Sequence, residues 1–288
     1  MPGGIRSVAS DTQHSTDMMM AATARVCVFG CLLASCSAFA GLSPQLAVPG
    51  VRALRGGGVS MSAKPKLTYF DARGVAEMAR VMYKAAGADF EDERFGVIPG
   101  PPPKSPPFEE AKEQGRCEVN LNRVPLLAVG DKVFGQSHAI NRYIAQQNGF
   151  MGDSPLEAAM IDSIYENVRD IRDAYSNVRF RTPGTPEEKA AATQKFLKED
   201  LVQWCTKLDK ALAAYTPTES DYAFGGKLSL ADFAIHTWIE SLDLSPVFKD
   251  WEGERPWAGS SRISRVYKMV NELPAVKQWM AERPVTMM

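Results

Sequence analysis

Two places in this 288-residue chain combine side chains in ways that could do chemistry. Tyr69 stands near the end of a short apolar run, 67–70 (LTYF), just before Phe70 and the pair Arg73-Gly74. A phenol at the end of a strand can donate a hydrogen bond and so favour an anion beside it, although an ordinary strand aromatic has the same local sequence. Gln136-Ser137 opens a segment of helical periodicity. A side-chain amide, a hydroxyl and free backbone N–H groups at a helix N-terminus suit an anion, and Ser137 could serve at the same time as the N-cap. Cysteine and histidine chemistry is poorly supported. None of the five cysteines forms a CxxC pair, and three histidines in the whole chain give no zinc-ligand spacing. A thioredoxin-type redox site would need a cysteine near Tyr69 or at the start of the following helix, and there is none.

These groups need elements to hold them. Residues 67–70 read as a strand, 74–86 (GVAEMARVMYKAA) as a helix with Val75, Met78, Ala79 and Met82 on one face, and 88–95 as a second strand. Gly87 stops the helix. The stretch from Phe95 to Phe108 carries prolines at 99, 101, 102, 103, 106 and 107 and is expected to be a surface loop. Residues 124–134 form a hairpin turning at Gly130-Asp131, and 137–147 a helix with Ile140, Tyr143 and Ile144 on one side. Strand, helix, strand, loop, hairpin, helix is the order of a thioredoxin-like domain. After Asp153 the pattern is helical over 155–180, 186–215, 229–242 and 262–280, with Pro274 dividing the last. The expected architecture is therefore α+β followed by all-α: a thioredoxin-like domain at 65–150 and a helical bundle at 154–288.

With 33 basic and 34 acidic residues mixed along the chain, the net charge of -1 gives no field for nucleic acid or an anionic membrane. The first sixty residues differ in composition and read as an address, a leader over 1–61. The apolar run 26–40 is too short to span a membrane and suits a signal peptide of about 1–40, with small residues at Ser35, Ser37 and Ala38 before the cut. Residues 41–61 contain Arg52 and Arg55 and no acid, as transit peptides do. Phe39 beside a small-residue cut site resembles the bipartite leaders of algae with complex plastids, and the expected location is a plastid, with secretion or the cytoplasm as the alternative. No membrane anchor is expected in the mature chain, which keeps only Cys117 and Cys205 and suits a reducing compartment. A fluorescent fusion of the leader tests this, and secretion to the medium would sink it.

Three motifs carry a family resemblance: 67–77 (LTYFDARGVAE), 123–145 (RVPLLAVGDKVFGQSHAINRYIA) and 226–235 (GKLSLADFAI). In this order and spacing they resemble glutathione transferases of the sigma-like, tyrosine-type class, over residues 66–280. The resemblance implies that Tyr69 donates to the sulfur of glutathione and favours the thiolate, the nucleophile that attacks an electrophile. It implies a cis bond at Val124-Pro125, with the Val124 backbone pairing with the cysteinyl part of glutathione. Gln136 and Ser137 would hold the γ-glutamyl carboxylate, Lys112 the glycyl carboxylate, and Phe70 and Arg123 the remaining contacts. Phe108 stands where relatives often place a tryptophan, and would lose an indole donor. Asp170 matches an acid that reaches across a homodimer to the amino group of glutathione. No cofactor is implied beyond glutathione as co-substrate, and the second substrate would be a hydrophobic electrophile. Tyr165, Tyr175, Phe180 and Trp238 are aromatic candidates for its pocket, or simply core. The chain departs from the pattern at Val75, where many tyrosine-type relatives carry an arginine whose charge helps the thiolate. A member that keeps the fold as a non-catalytic binding or structural module is the alternative. In the helical half, Ser229 with Asp232 reads as a capping box with a folding role.

Overall fold

The computed structural model describes residues 64–217, 219–248 and 251–286, so the expected leader and its cut sites lie outside the described residues. Strand β1 (Lys66–Phe70) is central. It pairs in parallel with β2 (Glu91–Phe95) and antiparallel with β3 (Leu126–Val129), which pairs with β4 (Lys132–Gly135), giving the order β2-β1-β3-β4. The second strand is shorter than expected, because Ala88 to Phe90 lie outside the ladder.

Helix α1 (Glu77–Ala85) follows a single 3-10 turn, Gly74–Ala76. That turn corrects the expected face, since Val75 is exposed whereas Met78, Ala79 and Met82 are buried. The proline loop also ends earlier than expected. Pro106 and Pro107 occupy the first turn of α2 (Pro106–Glu113), a helix absent from the sequence reading. Proline is tolerated there because the N–H it lacks would have had no partner in the helix. The loop is tied down at both ends, by Ile98 and Lys104 exchanging backbone hydrogen bonds and by the Ser105 hydroxyl donating to the Gly96 carbonyl at 2.8 Å.

Helix α3 (Ser137–Gln147) completes this half, and α4 (Pro155–Arg181) begins the helical one. It continues through α5 (Pro186–Lys195) and α6 (Leu201–Leu212), joined by a π turn at Phe196–Asp200, then α7 (Leu230–Asp243), α8 (Ser261–Glu272) and α9 (Pro274–Glu282). No helix among the described residues is long and apolar enough to cross a membrane. The capping box forms as read: Asp232 accepts from the Ser229 N–H and hydroxyl, both at 2.7 Å, and from the Ala223 N–H.

Side chains of β1 alternate between two cores, as a period of two requires. Leu67 joins the large core with α1, α3 and the helical half, Tyr69 packs against its edge, and Phe70 turns to the opposite face. Burying residues such as Leu67, Met82, Leu127, Ile140 and Ile144 contributes about 1.5–3 kcal/mol each. The large core runs without a break from β1 into α4, α7, α8 and α9, so the sheet and the bundle are not held by linker alone. At their seam lies a charged network. Glu77 of α1 accepts from Trp279 Nε1 and Arg283 Nη1, both at 2.9 Å, and from Arg80 at 3.2 Å, and Arg283 also pairs with Glu240 of α7. Burial alone would raise Glu77, but these partners hold it below the usual carboxylate range.

Candidate functional site

The half-buried Tyr69 ring leaves the end of β1 toward the Gly74–Ala76 turn. Gly74 has φ +46°, and a Cβ there would stand 2.6 Å from the Tyr69 hydroxyl oxygen and 2.9 Å from Cε1. Only glycine fits both the backbone and the ring. The backbone N–H of the next residue, Val75, lies close enough to the phenol oxygen to favour its charged form. Burial raises the Tyr69 pKa, against the opposing pull of that N–H and of the Arg80 and Arg172 charges. The phenol therefore keeps its proton at neutral pH and can donate it to an acceptor.

On the other face of β1, Phe70 and Phe108 meet edge to face at 5.0 Å, and Val124 packs into the same small cluster. A groove of about 810 Å³ opens beside them, lined also by Val97, Pro103, Lys104 and Glu109. Lys112 lies with Nζ 4.9 Å from the centre of the Phe108 ring and pairs with Glu109. The Val124-Pro125 bond is cis.

Asn120, a residue that sequence reasoning missed, ties the neighbouring candidates together. Its buried side chain donates to the carbonyls of Arg123 (3.1 Å) and Pro125 (3.2 Å) and accepts from Gln136 Nε2 at 3.2 Å. Its side chain fills the space beside Gly135, where a Cβ would come within 2.2 Å of it. The exposed Arg123 donates back to the Asn120 carbonyl at 3.3 Å. Nothing in the local sequence singles out one asparagine in a loop, so only the folded chain reveals the hub.

At the start of α3 the cap differs from expectation. Gln136, with φ +70°, is the N-cap, and Ser137 is the first helical residue, so its hydroxyl is not a cap. The first-turn N–H groups stay available for an anion. His138 follows, its ring stacked at 4.9 Å on Tyr165 of α4, and burial lowers its pKa, helped by Arg172. Asn141 donates to the Tyr165 hydroxyl at 2.9 Å, and Arg142 of α3 pairs with Asp162 (2.7 Å) and Glu166 of α4.

The remaining candidates divide. Asp170 is apart from this constellation, 61% exposed on α4 beside Arg169. Tyr165 and Trp238 are core residues, Tyr175 packs against Phe196, and Phe180 is 68% exposed, so these four do not line one pocket. Gly74 and the Val75 N–H are further contributors; a glycine between a strand aromatic and a helix is the signal that points to them.

Comparison with known proteins covers both halves of the described chain. Residues 65–146 match the family model "Glutathione S-transferase, N-terminal domain", and residues 169–283 match "Glutathione S-transferase, C-terminal domain". The chain is 34% identical over 229 residues to glutathione S-transferase 1 of Ascaris suum, covering 77% of this chain and 97% of that protein. It is 27% identical to hematopoietic prostaglandin D synthase of Gallus gallus, covering 77% and 97%. Among solved structures, the glutathione S-transferase of Ascaris lumbricoides superposes with a TM-score of 0.59 at 31% identity, covering 78% of this chain and 99% of that one.

Proposed function

Because the chain belongs to the glutathione S-transferase family, we propose that it binds glutathione on the thioredoxin-like half, ionises the thiol with the Tyr69 hydroxyl and adds it to a hydrophobic electrophile held by the helical half. The observation that carries this reading is the half-buried phenol of Tyr69, which keeps its proton and is seated against the Gly74 turn, where a Cβ would stand 2.6 Å from its oxygen. Such a hydroxyl stabilises a thiolate by donation and has no need to ionise itself. A free thiol of pKa about 8.5 is only a few per cent ionised at neutral pH, so lowering it by about two units raises the nucleophilic fraction more than tenfold. In this reading Phe70, Phe108, Lys112, Arg123, Val124, Pro125, Gln136 and Ser137 hold glutathione. Asp170, exposed in one chain, serves the site of a second copy in a homodimer. Conjugation and isomerisation share the thiolate step. The similarity to a prostaglandin D synthase supports keeping isomerisation within the reading.

One set of observations favours a second reading, a glutathione-binding module without catalysis: Val75 supplies no charge, and Lys112 is engaged by Glu109. Absorbance of the bound thiolate near 240 nm, followed against pH in the protein and in Tyr69→Phe, separates the two. The catalytic reading requires a pKa well below that of free glutathione, returned toward it by the substitution. A bound thiol that titrates normally in both proteins leaves only the binding module.

A further inference from the structure

An anion beside Tyr69 needs a cation, and the arginines near it are not equally free to supply one. Arg80 lies with its guanidinium carbon 6.0 Å from the centre of the Tyr69 ring, but the side chain is fully buried. It bonds Asp92 at 3.1 Å, Glu77 at 3.2 Å and the Ala72 carbonyl at 2.8 Å. Its Nη2, though unbonded, is sealed inside the protein. Arg73, in the turn before α1, faces Glu240 at 3.8 Å.

Arg172 is different. It is half-buried on α4, and among the described residues it makes no ion pair and no hydrogen bond. It lies seven residues, close to two helical turns, after Tyr165, on the side of α4 that meets His138 and Asn141 of α3. The groups its charge acts on are Tyr69 of β1, Tyr165 of the same helix and His138 of α3, with Asp173 beside it in sequence as the one acid. Burial disfavours its charge, and among the described residues no carboxylate forms an ion pair with it in compensation.

We propose that Arg172 is the cation of the thiolate site: a half-buried guanidinium from the helical half, without an ion pair or hydrogen bond among the described residues, that is satisfied when glutathione ionises beside Tyr69. The inference rests on the catalytic reading above and adds a division of labour to it. Tyr69 supplies the hydrogen bond to sulfur, and Arg172 supplies the charge that neither Val75 nor the committed Arg73 and Arg80 can offer. The thiol proton leaves to solvent, and the thiolate stays between a phenol donor and a guanidinium.

The test is the same thiolate titration, made on Arg172→Gln and Arg172→Lys of the full protein, with the affinity for S-methylglutathione measured in parallel. That ligand has no ionisable thiol. Arg172→Gln should raise the pKa of the bound thiol by about one unit, a tenfold loss of thiolate near neutral pH, and Arg172→Lys should keep most of the depression. S-methylglutathione should bind both variants as it binds the wild type. A depressed thiol pKa that Arg172→Gln leaves in place overturns this assignment alone. So does a loss of S-methylglutathione affinity in both variants, which would make Arg172 a prop of the fold. A wild-type thiol that titrates like free glutathione overturns the assignment together with the catalytic reading beneath it.

Discussion

The close fit between Gly74 and Tyr69 makes Gly74→Ala a demanding perturbation, because one added methyl acts on both backbone and phenol. At φ +46° an L side chain is strained by about 1–2 kcal/mol. The methyl would also stand 2.6, 2.9 and 3.1 Å from Oη, Cε1 and Cζ of Tyr69, the first two closer than side-chain carbons are found to approach. Overpacking of this kind costs about 1–3 kcal/mol, so the whole change should destabilise by about 3 kcal/mol and lower Tm by about 10 °C. Relief requires the ring to swing by about 1 Å, which moves the hydroxyl off the Gly74 turn and misdirects its proton. A misplacement of that size should lower kcat/KM about 10²-fold. The assay is addition of glutathione to a chlorodinitrobenzene, in Gly74→Ala, Tyr69→Phe and the double variant. If Gly74 acts through the Tyr69 hydroxyl, the second substitution adds little once the first is made. Wild-type turnover in Gly74→Ala, or losses that simply multiply in the double variant, would refute the reasoning.

His236 on α7 gives a pH prediction. It is buried against Tyr267, with Nε2 3.4 Å from Asn271 Oδ1, and burial pushes its pKa down to about 4. The unfolded histidine, near 6.5, takes a proton first, so this group leaves stability untouched above about pH 6.5 and removes up to about 3 kcal/mol as the pH falls toward 4. Urea unfolding at about pH 7.5 and about pH 4.5 should show the stability advantage of wild type over His236→Gln shrinking at the lower pH. A constant gap would mean that His236 does not titrate as its burial requires. For the proposed assembly, sedimentation should give twice the chain mass, and Asp170→Ala should weaken glutathione binding several-fold without changing that mass; a monomer with wild-type affinity in the variant would remove Asp170 from the site.

The sequence made the order of elements readable because its apolar periods switch cleanly from two to 3.6 at Phe70 and again at Gly135. Helix α3 has the bounds read from sequence, and Pro274 divides α8 from α9 as expected. Helix α2 escaped because two prolines in a row look like loop, while their place in the first turn suits them to start a helix. Gln136 took the cap from Ser137 for a similar reason: the residue types nominate Ser137, but the backbone at φ +70° decides. Tyr69, Phe70, Val124 and Gln136 could be named from motifs. Asn120 and Arg172 could not, since what distinguishes them is what surrounds them in space: three bonded neighbours in one case and, among the described residues, no bonded partner in the other.

The seam network has a consequence for how this protein is made. Glu77 enters a buried position whose partners, Trp279 and Arg283, lie 202 and 206 residues further along. During synthesis the sheet and α1 leave the ribosome long before those residues exist, and until then the carboxylate of Glu77 has Arg80 as its nearest cation. The helix that adjoins the Tyr69 turn is thus completed by the final helix of the described chain. A chain that stops short of α9 leaves Glu77 with Arg80 alone at that seam, so the helix beside Tyr69 gains its full set of partners only once α9 has been made.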